Sequence, residues 1–257
     1  MGFALLKGWL KELVDLRVHV VEPDQSLRER ALLAGATASS SADEIPSDFK
    51  PEAIVMAVKP RYVVTELTRY QTFLSEGALL LSVAAGVTLA AMERAVGPGS
   101  RIVRCMPNMP AAIGAGALVC CQNASSGDRV TVVARQLLSA SGEVHFVADE
   151  SLMDAVTAVS GSGPAYVFNF IESLIEAGSA AGLPEDLSRQ LAIQTVYGAG
   201  LLAKNSEQSP SSLRQQVTSP NGTTAAALAV LMAPGGLARL MTDAVRAAKT
   251  RSIELGA

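Results

Sequence analysis

Short apolar runs at residues 17–21, 53–58, 78–83, 101–106, 117–121 and 143–147 alternate with stretches that read as helices, and this rhythm limits the fold more than any other feature. The run Ala53-Ile54-Val55-Met56-Ala57-Val58 has no polar residue. A strand of that kind is buried on both faces, as in a parallel sheet covered by helices on either side. The intervening helices are predicted at the amino terminus, where Phe3, Leu6, Leu10, Leu13 and Val14 recur near a 3.6 period, and at 25–34, 62–74, around Met92 and at 128–139. Gly35 suits the end of the 25–34 helix. Alternation of this kind predicts an α/β, doubly wound parallel sheet. Such sheets bind ligands beyond the carboxyl ends of their strands. The strand exits at Glu22, Lys59-Pro60, Ala84-Ala85 and Asn108 are therefore expected to form one rim.

Strand signals stop at Asp149, which divides the chain into an α/β domain over 1–148 and an all-α domain over 149–257. Residues 151–159 are predicted helical, and Ser160-Gly161-Ser162-Gly163-Pro164 reads as a small-residue hinge. The next helix, 165–181, carries Val167, Phe168, Phe170, Ile171, Leu174 and Ile175 on nearly every side. A helix apolar all round is buried, and a domain this small cannot cover it alone, so a second chain is expected on it. Gly182 ends that helix. Further helices are predicted from 183 to about 204, at 224–232 and up to about 255, with a polar loop at 205–212.

The chain of 257 residues is 49 % apolar, enough for a sizeable core. Its net charge of −3 and pI of 5.5 argue against a nucleic-acid partner. No run is long and unbroken enough to span a bilayer, and no ordered signal-peptide segments are visible. Cys105, Cys120 and Cys121 have neither disulfide-framework nor metal-ligand spacing, which fits a reducing cytoplasm. His19 and His145 lie inside strand-like runs, and no metal site is expected.

Two ends of the chain carry binding signals. A dinucleotide fold opens with a strand and G-x-G-x-x-G, the last glycine beginning the first helix. Here the chain opens on Gly2 followed by helix, so Gly2 matches the third glycine, and the first strand and the first two glycines are expected to be absent. Glu22 closes the next strand, where a carboxylate suits the ribose hydroxyls of NAD and repels the 2′-phosphate of NADP. Near the other end, Ser219-Pro220-Asn221-Gly222 is turn chemistry. Thr223 and Thr224 follow and lead into Ala225-Ala226-Ala227-Leu228, which reads as a helix start. Unpaired N–H groups and two hydroxyls at a helix start make a place for a small anion such as a carboxylate.

Taken together these stretches resemble the pyrroline-5-carboxylate reductase family along essentially the whole chain. Val217-Thr218-Ser219-Pro220-Asn221-Gly222-Thr223-Thr224 looks like the family signature V-T-S-P-G-G-T-T, with Asn221 in place of the commoner glycine. Ser160-Gly161-Ser162-Gly163-Pro164-Ala165-Tyr166 matches a second motif. Ala57-Val58-Lys59-Pro60, Ala84-Ala85-Gly86-Val87 and Arg104-Cys105-Met106-Pro107-Asn108-Met109-Pro110 look like its cofactor-rim loops. The resemblance implies reduction of 1-pyrroline-5-carboxylate to L-proline by NADPH or NADH, in a homodimer or higher homo-oligomer, in the cytoplasm. It implies that Ser219, Asn221, Gly222, Thr223 and Thr224 hold the substrate carboxylate, with the Thr224 hydroxyl near the ring nitrogen as the catalytic group. Glu150 falls where the family has a substrate-contacting acid. Gly2, Glu22, Ala57, Val58, Lys59, Pro60, Ala85 and Asn108 would form the dinucleotide site.

The missing strand and pyrophosphate turn are the departure from the family, and a chain beginning at Met1 is expected to be less stable and to bind cofactor poorly. A β-hydroxyacid dehydrogenase relative also carries a nucleotide domain followed by helices. It requires a catalytic lysine on the first long helix of the second domain, and 165–181 contains none. A third expectation is non-enzymatic: a truncated dimerising protein that no longer binds dinucleotide.

Overall fold

The computed structural model describes residues 1–13 and 15–256, so Val14 of the predicted first helix lies outside the described residues. Helix α1 (Gly2–Glu12) is followed by β1 (His19–Val21), α2 (Gln25–Leu33) and β2 (Thr37–Ser39). Next come β3 (Ala53–Met56), α3 (Pro60–Leu67), α4 (Gln71–Ser75), β4 (Leu79–Ser82), α5 (Leu89–Val96) and β5 (Arg101–Met106). Strand β6 (Gly116–Gln122), α6 (Asp128–Ser139) and β7 (Gly142–Phe146) complete the sheet. The rest is helical: α7 (Met153–Val156) running into a π turn (Thr157–Gly161), then α8 (Gly163–Ala180), α9 (Glu185–Asn205), α10 (Pro210–Gln216), α11 (Thr223–Leu231) and α12 (Leu237–Gly256).

Local chemistry explains many of the boundaries. The Asp24 carboxylate accepts the Leu27 N–H at the start of α2, and Gly35, at φ +102°, follows its end. The Thr88 hydroxyl accepts the Ala91 N–H at the start of α5. The predicted helix at 62–74 breaks into α3 and α4 around a single tight turn at Thr68–Tyr70. Helix α10 begins inside the stretch expected to be loop, because Ser209 caps it through the Ser212 N–H and Pro210 occupies its first turn.

The main sheet runs β3-β4-β5-β6-β7. Strands β3, β4 and β5 are parallel, β6 runs antiparallel to β5, and β7 is parallel to β6. The parallel architecture therefore carries one antiparallel pair. The link from β5 to β6 is a single short turn, Met109–Ile113, which leaves no room for the crossover a parallel neighbour needs. Strands β1 and β2 form a separate parallel pair. Among the described residues β1 and β3 do not pair with each other, and a cavity of about 950 Å³ is lined by both strands, α1 and Leu137.

Alternate residues of the central strands feed a core on each face of the sheet. Leu79, Leu81, Val103, Cys105, Leu118 and Cys120 pack with Leu5, Leu6 and Trp9 of α1 and Ala134 and Leu138 of α6. Ile54, Leu80, Ile102 and Cys121 pack on the other face with Val63, Leu67, Met92 and Met153. Burial on both sides is why these runs read as continuously apolar.

Two compact units result, Met1–Ser162 with the stretch from Ala248 onward, and Gly163–Ala247. Along the chain the first division falls between Ser162 and Gly163, beyond the change of secondary structure at Asp149. Met153 and Ala158 are buried and tie α7 and its π turn to the first unit, and the Ser252 hydroxyl donates to Asp154 at 2.7 Å. In the second unit α8 lies against α9 so closely that a Cβ on Gly178 would meet the Ser188 hydroxyl at 2.9 Å. No residue of α8 or α11 is buried within the single chain.

Candidate functional site: a strand-end rim and a helix-start turn

In the first unit the register aligns Met56 with Ser82 and Ser82 with Arg104, so β3, β4 and β5 end side by side. Beyond them Ala57, Val58, Lys59, Pro60 and Ala85 are exposed, as a ligand rim requires. Gly2 opens α1 directly beside this rim. A Cβ there would lie 3.1 Å from the Ala57 side chain, so the glycine allows the helix start its close approach. No side chain caps α1, and its first turn has no acid, which leaves N–H donors and a positive dipole end. Gly2, Glu22, Ala57 and Val58 line the same cavity of about 950 Å³. Glu22 is fixed there: its Oε1 accepts the Asp24 N–H at 3.0 Å, and Arg28 donates to the Glu22 and Pro23 carbonyls at 2.8 Å each. Lys59, Pro60, Ala85 and Asn108 do not line that cavity.

Asn108 turns inward. Its Nδ2 donates to the Ser160 carbonyl at 3.1 Å, and its Oδ1 accepts the Ala117 N–H at 3.0 Å. Its amide therefore braces the β5–β6 connection. Glu150 is likewise engaged: Oε1 accepts from Arg104 Nη1 at 2.7 Å and from the Leu89 N–H at 2.8 Å. The Arg104 side chain is 7 % exposed and that of Glu150 28 %. An arginine inside the apolar run Ile102-Val103-Arg104-Cys105-Met106 was the available sequence signal, because a buried cation requires a partner. The nearby Cys121 thiol is pushed up to about 12, by burial first and then by the Glu150 charge. This makes it inert as a nucleophile at neutral pH.

In the second unit, Asn221 adopts the left-handed conformation at φ +59°. The turn closes through the Gly222 N–H to the Ser219 carbonyl at 3.1 Å. Gly222 precedes α11 with no side-chain cap, and a Cβ there would collide with the Ser219 hydroxyl. Just upstream, the Thr218 hydroxyl donates to the Arg214 carbonyl at 2.6 Å and ties the turn to α10. Helix α11 starts one residue earlier than expected, so Thr223 and Thr224 both sit in its first turn, Thr223 exposed and Thr224 half-buried. The structure thus brings Ser219, Asn221, Gly222, Thr223 and Thr224 together on one turn.

The family profile described as pyrroline-5-carboxylate reductase dimerisation matches residues 150–255. The chain is 39 % identical over 256 residues to a pyrroline-5-carboxylate reductase of Pseudomonas aeruginosa, covering 98 % of this chain and 92 % of that one. Its fold matches a solved pyrroline-5-carboxylate reductase from Coxiella burnetii with a TM-score of 0.94 and 33 % identity, over 100 % of this chain and 95 % of the other. The chain belongs to the pyrroline-5-carboxylate reductase family. A Plasmodium falciparum pyrroline carboxylate reductase solved with NADP bound has a TM-score of 0.84 and 32 % identity, over 100 % of this chain and 95 % of that one.

Family membership bears out the recognition drawn from the five motifs and the α/β-plus-helical fold class. The dimerisation match, which runs from α7 into α12, supports homo-oligomerisation. Of the helices among the described residues, none is long and apolar enough to cross a membrane.

Proposed function

We propose that this chain reduces 1-pyrroline-5-carboxylate to L-proline, the last step of proline synthesis, in the cytoplasm and as a homodimer. The observation that carries the proposal is the turn at Asn221, which opens into an uncapped helix start bearing Thr223 and Thr224. Free N–H groups at the positive end of α11 suit the substrate carboxylate. Ser219, Asn221 and Gly222 shape the turn around it, and Thr223 and Thr224 add hydroxyl donors. Thr224 places its hydroxyl near the ring nitrogen and is the catalytic group. A protonated imine is already electrophilic, so the chain needs no strong acid or base. Its task is to hold the substrate in a reactive pose, with the reacting carbons about 3–3.5 Å apart.

The rim of the first unit fits a nicotinamide dinucleotide: the exposed residues Ala57, Val58, Lys59, Pro60 and Ala85, the Gly2 helix start for phosphate, and the Glu22 carboxylate for a ribose. Bound NADPH or NADH supplies the hydride. Glu22 favours NADH, because its charge opposes a 2′-phosphate. Homodimer formation is supported by the apolar surface that α8 leaves open, including Phe168 at 50 % exposure. A cytoplasmic setting is supported by three free, buried cysteines. The β-hydroxyacid dehydrogenase alternative is disfavoured by an α8 without lysine and by the names of the relatives.

The test is oxidation of NADPH and NADH dependent on added pyrroline-5-carboxylate. Thr224→Ala removes a hydrogen bond to a charged group, and a rise in substrate KM of about tenfold or more is expected. An unchanged KM would show that the carboxylate is held elsewhere. Failure of the unsubstituted chain to bind either dinucleotide would favour the non-enzymatic alternative.

A further inference from the structure

We infer that Glu150, held by Arg104, is a positioning residue for the dinucleotide rim rather than the substrate contact implied by its place in the family. This rests on the proposal that the first unit binds a nicotinamide dinucleotide.

Glu150 Oε1 accepts two hydrogen bonds that converge from different elements. One comes from the Leu89 N–H, the first residue of α5, directly after the rim loop Ala84-Ala85-Gly86-Val87. The other comes from Arg104 in β5, close before the second rim loop at Met106-Pro107-Asn108. One carboxylate oxygen therefore fixes the spacing of both loops. Its negative charge also lies at the positive end of α5, which strengthens the tie. With Oε1 engaged twice and the charge matched by Arg104, the side chain is anchored within the protein.

The segment that begins at Glu150 grips β5 a second time. The Ser160 carbonyl accepts the Asn108 Nδ2 bond at 3.1 Å, and a Cβ on Gly161 would press to 2.5 Å from the Met106 methyl. Met153, between these two grips, is buried in the core beneath the sheet. The stretch from Glu150 to Gly161 thus clasps the loop after β5 at both its start and its end. Glu150 adds the loop after β4 to the same clasp. Distorting it should misplace backbone that the cofactor rests on.

The experiment measures dinucleotide Kd by nicotinamide fluorescence and pyrroline-5-carboxylate KM at saturating dinucleotide, on the full chain. It compares the unsubstituted protein with E150Q, R104M and R104K, each checked by thermal unfolding. E150Q keeps the shape and one acceptor but removes the charge; R104K keeps the charge. E150Q and R104M are each expected to raise the dinucleotide Kd by about tenfold while the substrate KM stays within about twofold. R104K should recover most of the loss, and the E150Q/R104M double variant should be no worse than the poorer single one, because the two share one interaction. If R104M does not fold, E150Q and R104K decide. A dinucleotide Kd unchanged in E150Q, with a raised substrate KM, overturns the inference and restores Glu150 to the substrate. An unsubstituted chain that binds no dinucleotide sinks the reductase proposal and this inference together, which separates the two failures.

Discussion

Asn221 offers a measurable test of the turn that carries the proposed carboxylate site. Its φ of +59° lies in the left-handed region, which costs most L-residues about 1–2 kcal/mol but asparagine less and glycine nothing. Asn221→Gly should therefore leave stability within about 0.5 kcal/mol, since the strain relieved by removing the Cβ offsets the freedom gained by the unfolded chain. Asn221→Ala should cost about 1 kcal/mol, and Asn221→Val about 2 kcal/mol, because β-branched side chains tolerate positive φ worst. For a chain of this size those costs correspond to falls in melting temperature of about 2–4 °C for alanine and twice that for valine. Thermal unfolding by circular dichroism reads them, and the substrate KM should rise in the same order, glycine least and valine most. A valine variant that melts with the unsubstituted protein, or a glycine variant worse than alanine, would refute the left-handed turn and its role.

The other predictions concern the cofactor, the oligomer and the core. Glu22→Ser should shift the ratio of kcat/KM for NADPH over NADH upward by about tenfold, through loss of a like charge near the 2′ position; an unchanged ratio removes Glu22 from the ribose site. Phe170, 43 % exposed in the single chain, belongs to the apolar face of α8, and Phe170→Asp should convert the oligomer to monomer in sedimentation velocity. A variant with the same sedimentation coefficient would place the interface elsewhere. The Cys121 thiol titrates at about 12 when folded and near 9 when unfolded, so the unfolded chain loses its proton first. Its stabilising contribution is complete below pH 9 and is lost as pH rises from 9 towards 12. Cys121→Ala should flatten the fall of unfolding free energy over that window, and an identical slope would contradict the burial argument.

Much of the fold is legible in the residues because the strongest signals are local. Helix α6 is bounded as expected at Asp128 and Ser139, because an amphipathic run there stands between a glycine and a turn. Strand β4 is legible because leucines facing both ways require a helix on each side. Strand β2, Thr37–Ser39, is not, since Thr37-Ala38-Ser39 carries no apolar pattern and takes its strand form from pairing with β1. The antiparallel direction of β6 lay in the length of its connection, not in the strand itself. The carboxylate turn was legible residue by residue, since Ser-Pro-Asn-Gly dictates its own geometry. Asn108 and Glu150 were marked as site positions, but no local pattern shows that their side chains are engaged by Ser160, Ala117, Arg104 and Leu89. Ser160, Arg104 and Leu89 lie far along the chain from the residues they engage, and Ala117 is brought to Asn108 by the turn between β5 and β6, so these pairs meet only in the packed structure.

The most direct measurement follows the hydrogen itself. Incubating the chain with pyrroline-5-carboxylate and dinucleotide carrying deuterium at both C4 positions of the nicotinamide, then analysing the amino-acid product by mass spectrometry and NMR, tests transfer without relying on absorbance. Proline carrying a single deuterium, on the ring carbon next to nitrogen that does not bear the carboxylate, is the predicted result. Absence of proline, or proline without the label, would contradict the account.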